Sequence, residues 1–289
     1  MLVPDEILRE LGRARFLPGL PTRFGTGNRT SRQPGDGIEF EDYKPYEPGD
    51  DFHKVDARVY LRTGTLNVRR FSAERPLEVT TIVDVSASMR LGRPAKQPLA
   101  IQLAACTAYV ALRGGDKVRL VAVGESAHWS PPFQGEARFP QVGEWLSRRK
   151  ATEASLRAST VTSVLEELRQ RPGLVLFISD CLVAGLDDAL SSVRASDQTI
   201  ALLQVLSPED LDPQLLGQGA AELLDEETHE ALITDLSPET YARYTAALDS
   251  WRSRLRGTLK RPELHLEVRS DAGLREVVTK LWAAQGLIS

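Results

Sequence analysis

From residue 77 onward the chain alternates short apolar runs with stretches of helical length, and no other property restricts the possible fold as much. Residues 77–83, 117–123, 174–179 and 199–206 read as strands. Residues 96–113, closed by Gly114-Gly115, read as a helix, with weaker helices at 136–148, 162–170 and 182–194. Strands that lack a polar alternate face are covered on both sides, and repeated strand–helix alternation produces parallel sheets. The expected fold is therefore α/β, a doubly wound and mostly parallel sheet. Beyond it, residues 220–224 and 230–234 suggest a hairpin, and Ser237-Pro238-Glu239 opens a helix with Tyr241, Tyr244, Leu248, Trp251 and Leu255 on one face. Residues 264–268 read as a last strand, and Asp271 is placed to cap a final helix.

Residues 1–75 have another texture. Arginines crowd their first part, acids from Asp36 to Asp56 crowd the next, and Pro34-Gly35-Asp36-Gly37 and Pro48-Gly49-Asp50-Asp51 are turn sequences. Residues 58–61 and 66–71 favour strands, and Gly64 fits a hairpin turn between them. Asp50-Asp51 reads as a turn with an Asx cap rather than as a second metal site. The division expected is a strand-and-loop extension, 1–75, packed on a main domain, 76–289.

The 289 residues are 42% hydrophobic and 26% charged, enough apolar material for a sizeable core. A net charge of -4 leaves little global attraction for nucleic acid, and acids offset the early arginines. Cys106 and Cys181 sit in apolar runs, as buried thiols in a reducing compartment do, and acids at the start leave no secretion signal. The longest apolar segment, 99–112, is shorter than the roughly 18 residues of a membrane span. A cytoplasmic protein without a membrane span is expected.

The chemistry concentrates where strand 77–83 ends, in Asp84-Val85-Ser86-Ala87-Ser88. Ligands of open parallel sheets bind at the carboxyl ends of strands. An acid with two hydroxyls at alternating positions presents three hard oxygens, which suit Mg²⁺. Strand 174–179 also ends in an acid, Asp180, and in the strand order 3-2-1-4-5-6 the first and fourth strands are neighbours, so Asp84 and Asp180 share a crevice. Upstream, Ser163 and Glu166 fit a capping box, which leaves Thr160 before the cap, free to point elsewhere.

Asp84, Ser86, Ser88, Thr160 and Asp180 resemble, in type and order, the metal-ion-dependent adhesion site of von Willebrand factor A domains, a Rossmann-like fold. The resemblance implies that these five hold Mg²⁺ or Mn²⁺, partly through water, with an open position for a partner's carboxylate. Further, Gly35 to Phe40, the run Tyr43-Lys44-Pro45-Tyr46 through Asp51, Lys54-Val55-Asp56 and Val68-Arg69-Arg70-Phe71 with Glu74 are similar to the bacterial "domain of unknown function fifty-eight" family. That family joins such a segment to a von Willebrand A-like domain and accompanies MoxR-type AAA+ ATPases. Lys44 stands where an Arg is usual, and Ala57 where a Trp is usual. The resemblance implies a metal-dependent protein-interaction module, an adaptor for such an ATPase, and not an enzyme. The alternative is a Mg²⁺-dependent phosphohydrolase with Asp84 as nucleophile, but such sites need a second acid where Ser86 stands. No G-x-S-x-G elbow frames a serine, and His53, His128, His229 and His265 lack zinc-like spacing.

Overall fold

The computed structural model describes residues 2–16, 30–31, 39–74, 76–169, 173–192, 196, 198–226 and 230–289. The chain divides into two compact units, Met1–Leu17 with Pro76–Ser289, and Pro18–Arg75. Residues 1–17 thus belong with the main unit and not with the extension, which corrects the expected boundary. The cause is long-range pairing. Helix α1 (Asp5–Leu11) buries Ile7 and Leu11, and Phe16 forms an antiparallel bridge with Ile288, flanked by reciprocal backbone hydrogen bonds between Arg15 and Ser289.

The second unit holds an antiparallel sheet of β1 (Thr30–Ser31), β2 (Glu39–Pro45) and β3 (Asn67–Glu74), in the order β1-β3-β2. Between β2 and β3 lies α2 (Ala57–Thr63), where a strand over 58–61 was expected. Asp56 decides the matter. Its carboxylate accepts from the amides of Arg58 and Val59 as an N-cap, and Gly64, at φ +70°, closes the C-terminus in the left-handed region. Gly64 is a helix cap, not a hairpin turn. The Asp56 carboxylate also accepts from the Tyr43 hydroxyl and the Arg69 guanidinium, both at 2.8 Å. Asp51 caps a short 3-10 turn, and Asp50 accepts from Lys44 and from the Glu47 amide, so these two acids serve a turn.

The main unit is built on a sheet of β4 (Glu78–Asp84), β5 (Lys117–Val123), β6 (Ala127–Trp129), β8 (Gly173–Ser179), β9 (Gln198–Leu206) and β12 (His265–Arg269), in the order β12-β9-β8-β4-β5-β6. The short β7 (Phe133–Gln134) also pairs with β5; β6 and β7 run antiparallel and the other pairings are parallel. Helices α3 (Lys96–Arg113), α4 (Phe139–Ser147), α5 (Ala158–Leu168), α6 (Leu186–Ser192), α7 (Pro208–Leu211) and α8 (Pro238–Thr258) accompany it, and β10 (Gly219–Leu224) pairs with β11 (Ala231–Leu236) as the expected hairpin.

Helices cover both faces, which is why β4 and β8 read as unbroken apolar runs. Adjacent strand residues point to opposite faces. Thr81 faces α3, sharing a hydroxyl contact of 3.0 Å with Thr107, while Ile82 belongs to the core on the other face with Val121, Phe177, Leu165, Leu186 and Leu255. A glycine begins β8 because a Cβ on Gly173 would stand 2.2 Å from the Glu78 carbonyl oxygen. Asp271 does not cap the final helix but pairs with Arg269.

Candidate metal centre

The sheet brings the two acids together by register. β4 and β8 are parallel neighbours with Val83 opposite Ile178, so Asp84 stands level with Ser179 and Asp180 lies one step beyond. The Ser179 hydroxyl donates to Asp84 Oδ2 at 2.6 Å. On its other side, Asp84 Oδ1 accepts from the Ser86 amide at 2.8 Å and the Ser86 hydroxyl at 2.6 Å, while Ser86 Oγ lies 3.2 Å from Ser88 Oγ. Asp84, Ser86, Ser179 and Asp180 are fully buried, and Ser88 is half-buried. The loop is held from below, since Val85 pairs with Val123 and with Thr152, and the Ala87 amide donates to Ala154.

Among the described residues no ion pair involves Asp84, so burial disfavours its charged form. Desolvation, followed by the neighbouring negative charge of Asp180, pushes the Asp84 carboxyl up to about 7, outweighing the hydrogen bonds from Ser179 and Ser86.

Asp180 is fixed by a turn. Cys181 adopts φ +58°, a left-handed conformation that a residue with a side chain keeps only when its surroundings impose it. Three bonds do so: the Cys181 backbone amide donates to Ser179 Oγ, the Trp251 indole donates to the Cys181 carbonyl at 2.7 Å, and the Gln204 side-chain Nε2 donates to the Asp180 carbonyl at 2.8 Å. Gln204 is oriented in turn by His265, whose Nε2 lies 2.8 Å from Gln204 Oε1. Asp180 Oδ1 accepts from the Leu182 amide, and Oδ2 meets the Lys96 ammonium at 2.7 Å.

Thr160 is placed differently from expectation. Helix α5 begins at Ala158, so Thr160 sits in its first turn, and Ser163 is inside the helix, donating to the Ser159 carbonyl rather than forming a capping box. The Thr160 hydroxyl donates to the Glu125 carbonyl at 3.0 Å. Glu125 follows β5, whose Val123 is opposite Asp84, so Thr160 belongs to the same rim of the sheet. Its hydroxyl is engaged by that carbonyl and not by the acids.

The structure thus joins Asp84, Ser86 and Ser88 into one bonded cluster with Asp180 as its electrostatic neighbour, and leaves Thr160 at the margin. Among the described residues no group of three or more His, Cys, Asp and Glu side chains is arranged to hold a metal. The donors offered here are two carboxylates and hydroxyls, all hard oxygens, which match Mg²⁺ or Mn²⁺ better than a softer ion. Ser179 and Lys96 were not anticipated from the sequence. Ser179 carries a signal, since it directly precedes Asp180 on a buried strand; a lysine opening a helix carries none.

A mostly parallel α/β sheet with an acid and hydroxyl cluster at its carboxyl edge defines the class. The family model described as "Protein of unknown function DUF58" matches residues 42–254, and the chain belongs to that family. The uncharacterized protein Rv1480 of Mycobacterium tuberculosis (strain ATCC 25618 / H37Rv) and Mb1516 of Mycobacterium bovis are each 28% identical over 192 residues, 64% of this chain. The match spans 60% of the length of these relatives. Among solved structures, the conserved hypothetical protein BatB from Bacteroides thetaiotaomicron aligns with 15% identity and a TM-score of 0.42 over 72% of this chain and 98% of its own. An aerotolerance-related membrane protein from Bacteroides fragilis aligns with 14% identity and a TM-score of 0.41 over 73% and 98%.

Proposed function

We propose that this chain is a von Willebrand A-like, metal-dependent protein-interaction module. Asp84, Ser86, Ser88, Thr160 and Asp180 would hold Mg²⁺ or Mn²⁺, partly through water, and an Asp or Glu of a protein partner would complete the site. The observation that carries this reading is the buried Asp84 carboxylate, cradled by hydroxyls beside a second acid and without an ion pair among the described residues. A divalent ion supplies the missing positive charge and a point of attachment for a carboxylate. The chain's own residues do the rest. Ser86 and Ser179 aim the two Asp84 oxygens, the Cys181 turn presents Asp180, and the half-buried Ser88 and Thr160 leave the rim accessible from solvent.

The partner we propose is a MoxR-type AAA+ ATPase, on family membership alone, with the protein acting as its adaptor. Among the described residues no helix is long and apolar enough to cross a membrane, and both cysteines are buried free thiols, which supports work in a reducing compartment such as the cytoplasm. Isothermal titration with MgCl₂ and MnCl₂ tests the metal. Heat from the wild type that disappears in Asp84→Ala is expected, while a silent wild type, or equal heat from both, overturns it. Pull-down of a MoxR-type ATPase should be lost on adding EDTA.

A further inference from the structure

A buried ammonium is costly unless it is paired, and Lys96 is paired twice. Its side chain is 2% exposed, and its Nζ lies 2.7 Å from Asp180 Oδ2 and 3.4 Å from Asp210 Oδ2. The two acids belong to different parts of the molecule. Asp180 directly follows β8 and is a member of the candidate site. Asp210 lies in α7, where its Oδ2 also accepts from the Ser207 amide in a capping box, and it borders a cleft of about 740 Å³ lined by Leu91, Leu216, Leu224 and Tyr241. One positive charge therefore stands between an acid of the site and an acid outside it, closer to the first.

Building on the divalent site proposed above, we propose that Lys96 is the resident counter-ion of that site, held on Asp180 until a divalent cation takes the carboxylate and received by Asp210 afterwards. A divalent ion and the ammonium compete for Asp180. Its Oδ1 accepts from the Leu182 amide and its Oδ2 meets the ammonium, so a divalent ion ligated by Oδ2 would stand beside a like charge, which drives the ammonium to withdraw. Asp210 is already within reach, which makes the withdrawal a small swing of the lysine side chain rather than an exposure to water. Lys96 thereby opposes divalent binding by like-charge repulsion, and Asp210 relieves the opposition.

These roles predict effects of opposite sign. In titrations of the full chain with MgCl₂, Lys96→Met binds roughly tenfold more tightly than the wild type and Asp210→Asn roughly tenfold more weakly, because like charge opposes the ion in one case and the ammonium has lost its alternative partner in the other. Melting curves give a readout that a purely structural lysine would not move. The rise in Tm on adding MgCl₂ is larger in Lys96→Met than in the wild type, even though the metal-free variant melts lower. Equal or weaker Mg²⁺ binding by Lys96→Met, or unchanged binding by Asp210→Asn, overturns the exchange while leaving the divalent site standing. If neither the wild type nor Lys96→Met binds, the divalent site falls and the exchange with it. Should Lys96→Met fail to fold, Asp210→Asn decides alone.

Discussion

At the scale of single residues, two buried titratable groups pull the stability of the metal-free protein in opposite directions. The Asp84 carboxyl, raised from 3.8 to about 7, binds a proton in the folded state that the unfolded chain has released. Its stabilising effect is complete below pH 3.8 and is lost as the pH rises to about 7. His265 is the reverse case. Burial, helped by Arg256 and Arg252, lowers it from 6.5 to about 4, so its contribution is complete above pH 6.5 and is lost as the pH falls toward 4. Between pH 4 and 6.5 they offset, and urea unfolding of the wild type in EDTA should show a shallow pH dependence. Asp84→Asn should lose stability on acidification through that window, and His265→Gln should gain it. The same slope in both variants would show that these groups do not govern the window.

The legibility of the site also divides by residue. Asp84, Ser86 and Ser88 are visible in sequence because their geometry is local, set by one strand end and one turn. Asp180 is visible because a buried strand ends in it. Lys96 and Asp210 are not, since a lysine or aspartate at the start of a helix reads as a solvated charge until the tertiary structure buries it.

At the scale of elements, the buried strands are legible in the sequence and the short helices are not. β4, β5, β8 and β9 are covered on both faces, and continuous burial leaves a continuous apolar signature that needs no partner information. Four residues such as Arg58-Val59-Tyr60-Leu61 contain barely one helical turn, too little to separate a period of 3.6 from a period of 2. The side chain that settles them, Asp56, lies outside the run. The Tyr43 hydroxyl, followed by the Arg69 guanidinium and the Arg58 and Val59 amides, holds its carboxyl down to about 2 against the cost of burial. It therefore stays charged until the pH falls toward that value, and α2 stays capped. Replacing it, as Asp56→Ala, removes the cap and leaves Tyr43 and Arg69 without that partner. Hydrogen exchange should register the loss as amides of α2 opening at least about twofold faster, the factor that follows from the smallest effect of a lost cap, roughly 0.5 kcal/mol. Exchange across α2 equal to wild type would remove Asp56 from that role.

At the scale of the molecule, the feature least visible in the sequence is the pairing of the first residues with the last. Phe16 is fully buried and bridges Ile288, with Arg15 and Ser289 exchanging backbone hydrogen bonds. Partners so distant along the chain leave no local pattern, and the arginines of the early segment suggested instead a continuous extension. Phe16→Ala should cost about 3–5 kcal/mol, the usual range for removing a buried phenylalanine, measured by chemical denaturation. A cost under roughly 1 kcal/mol, within the scatter of surface substitutions, would mean that the bridge contributes little.

Because residues 16 and 76 both belong to the same body, the segment between them departs and comes home: it is a loop grown to the size of a domain, not a tail. Shortening the protein from its amino end therefore cannot remove that excursion cleanly. A fragment starting at residue 76 would also forfeit α1 and the strand partner of Ile288, and a synthetic peptide of residues 1–17 added to it should restore part of what was cut away.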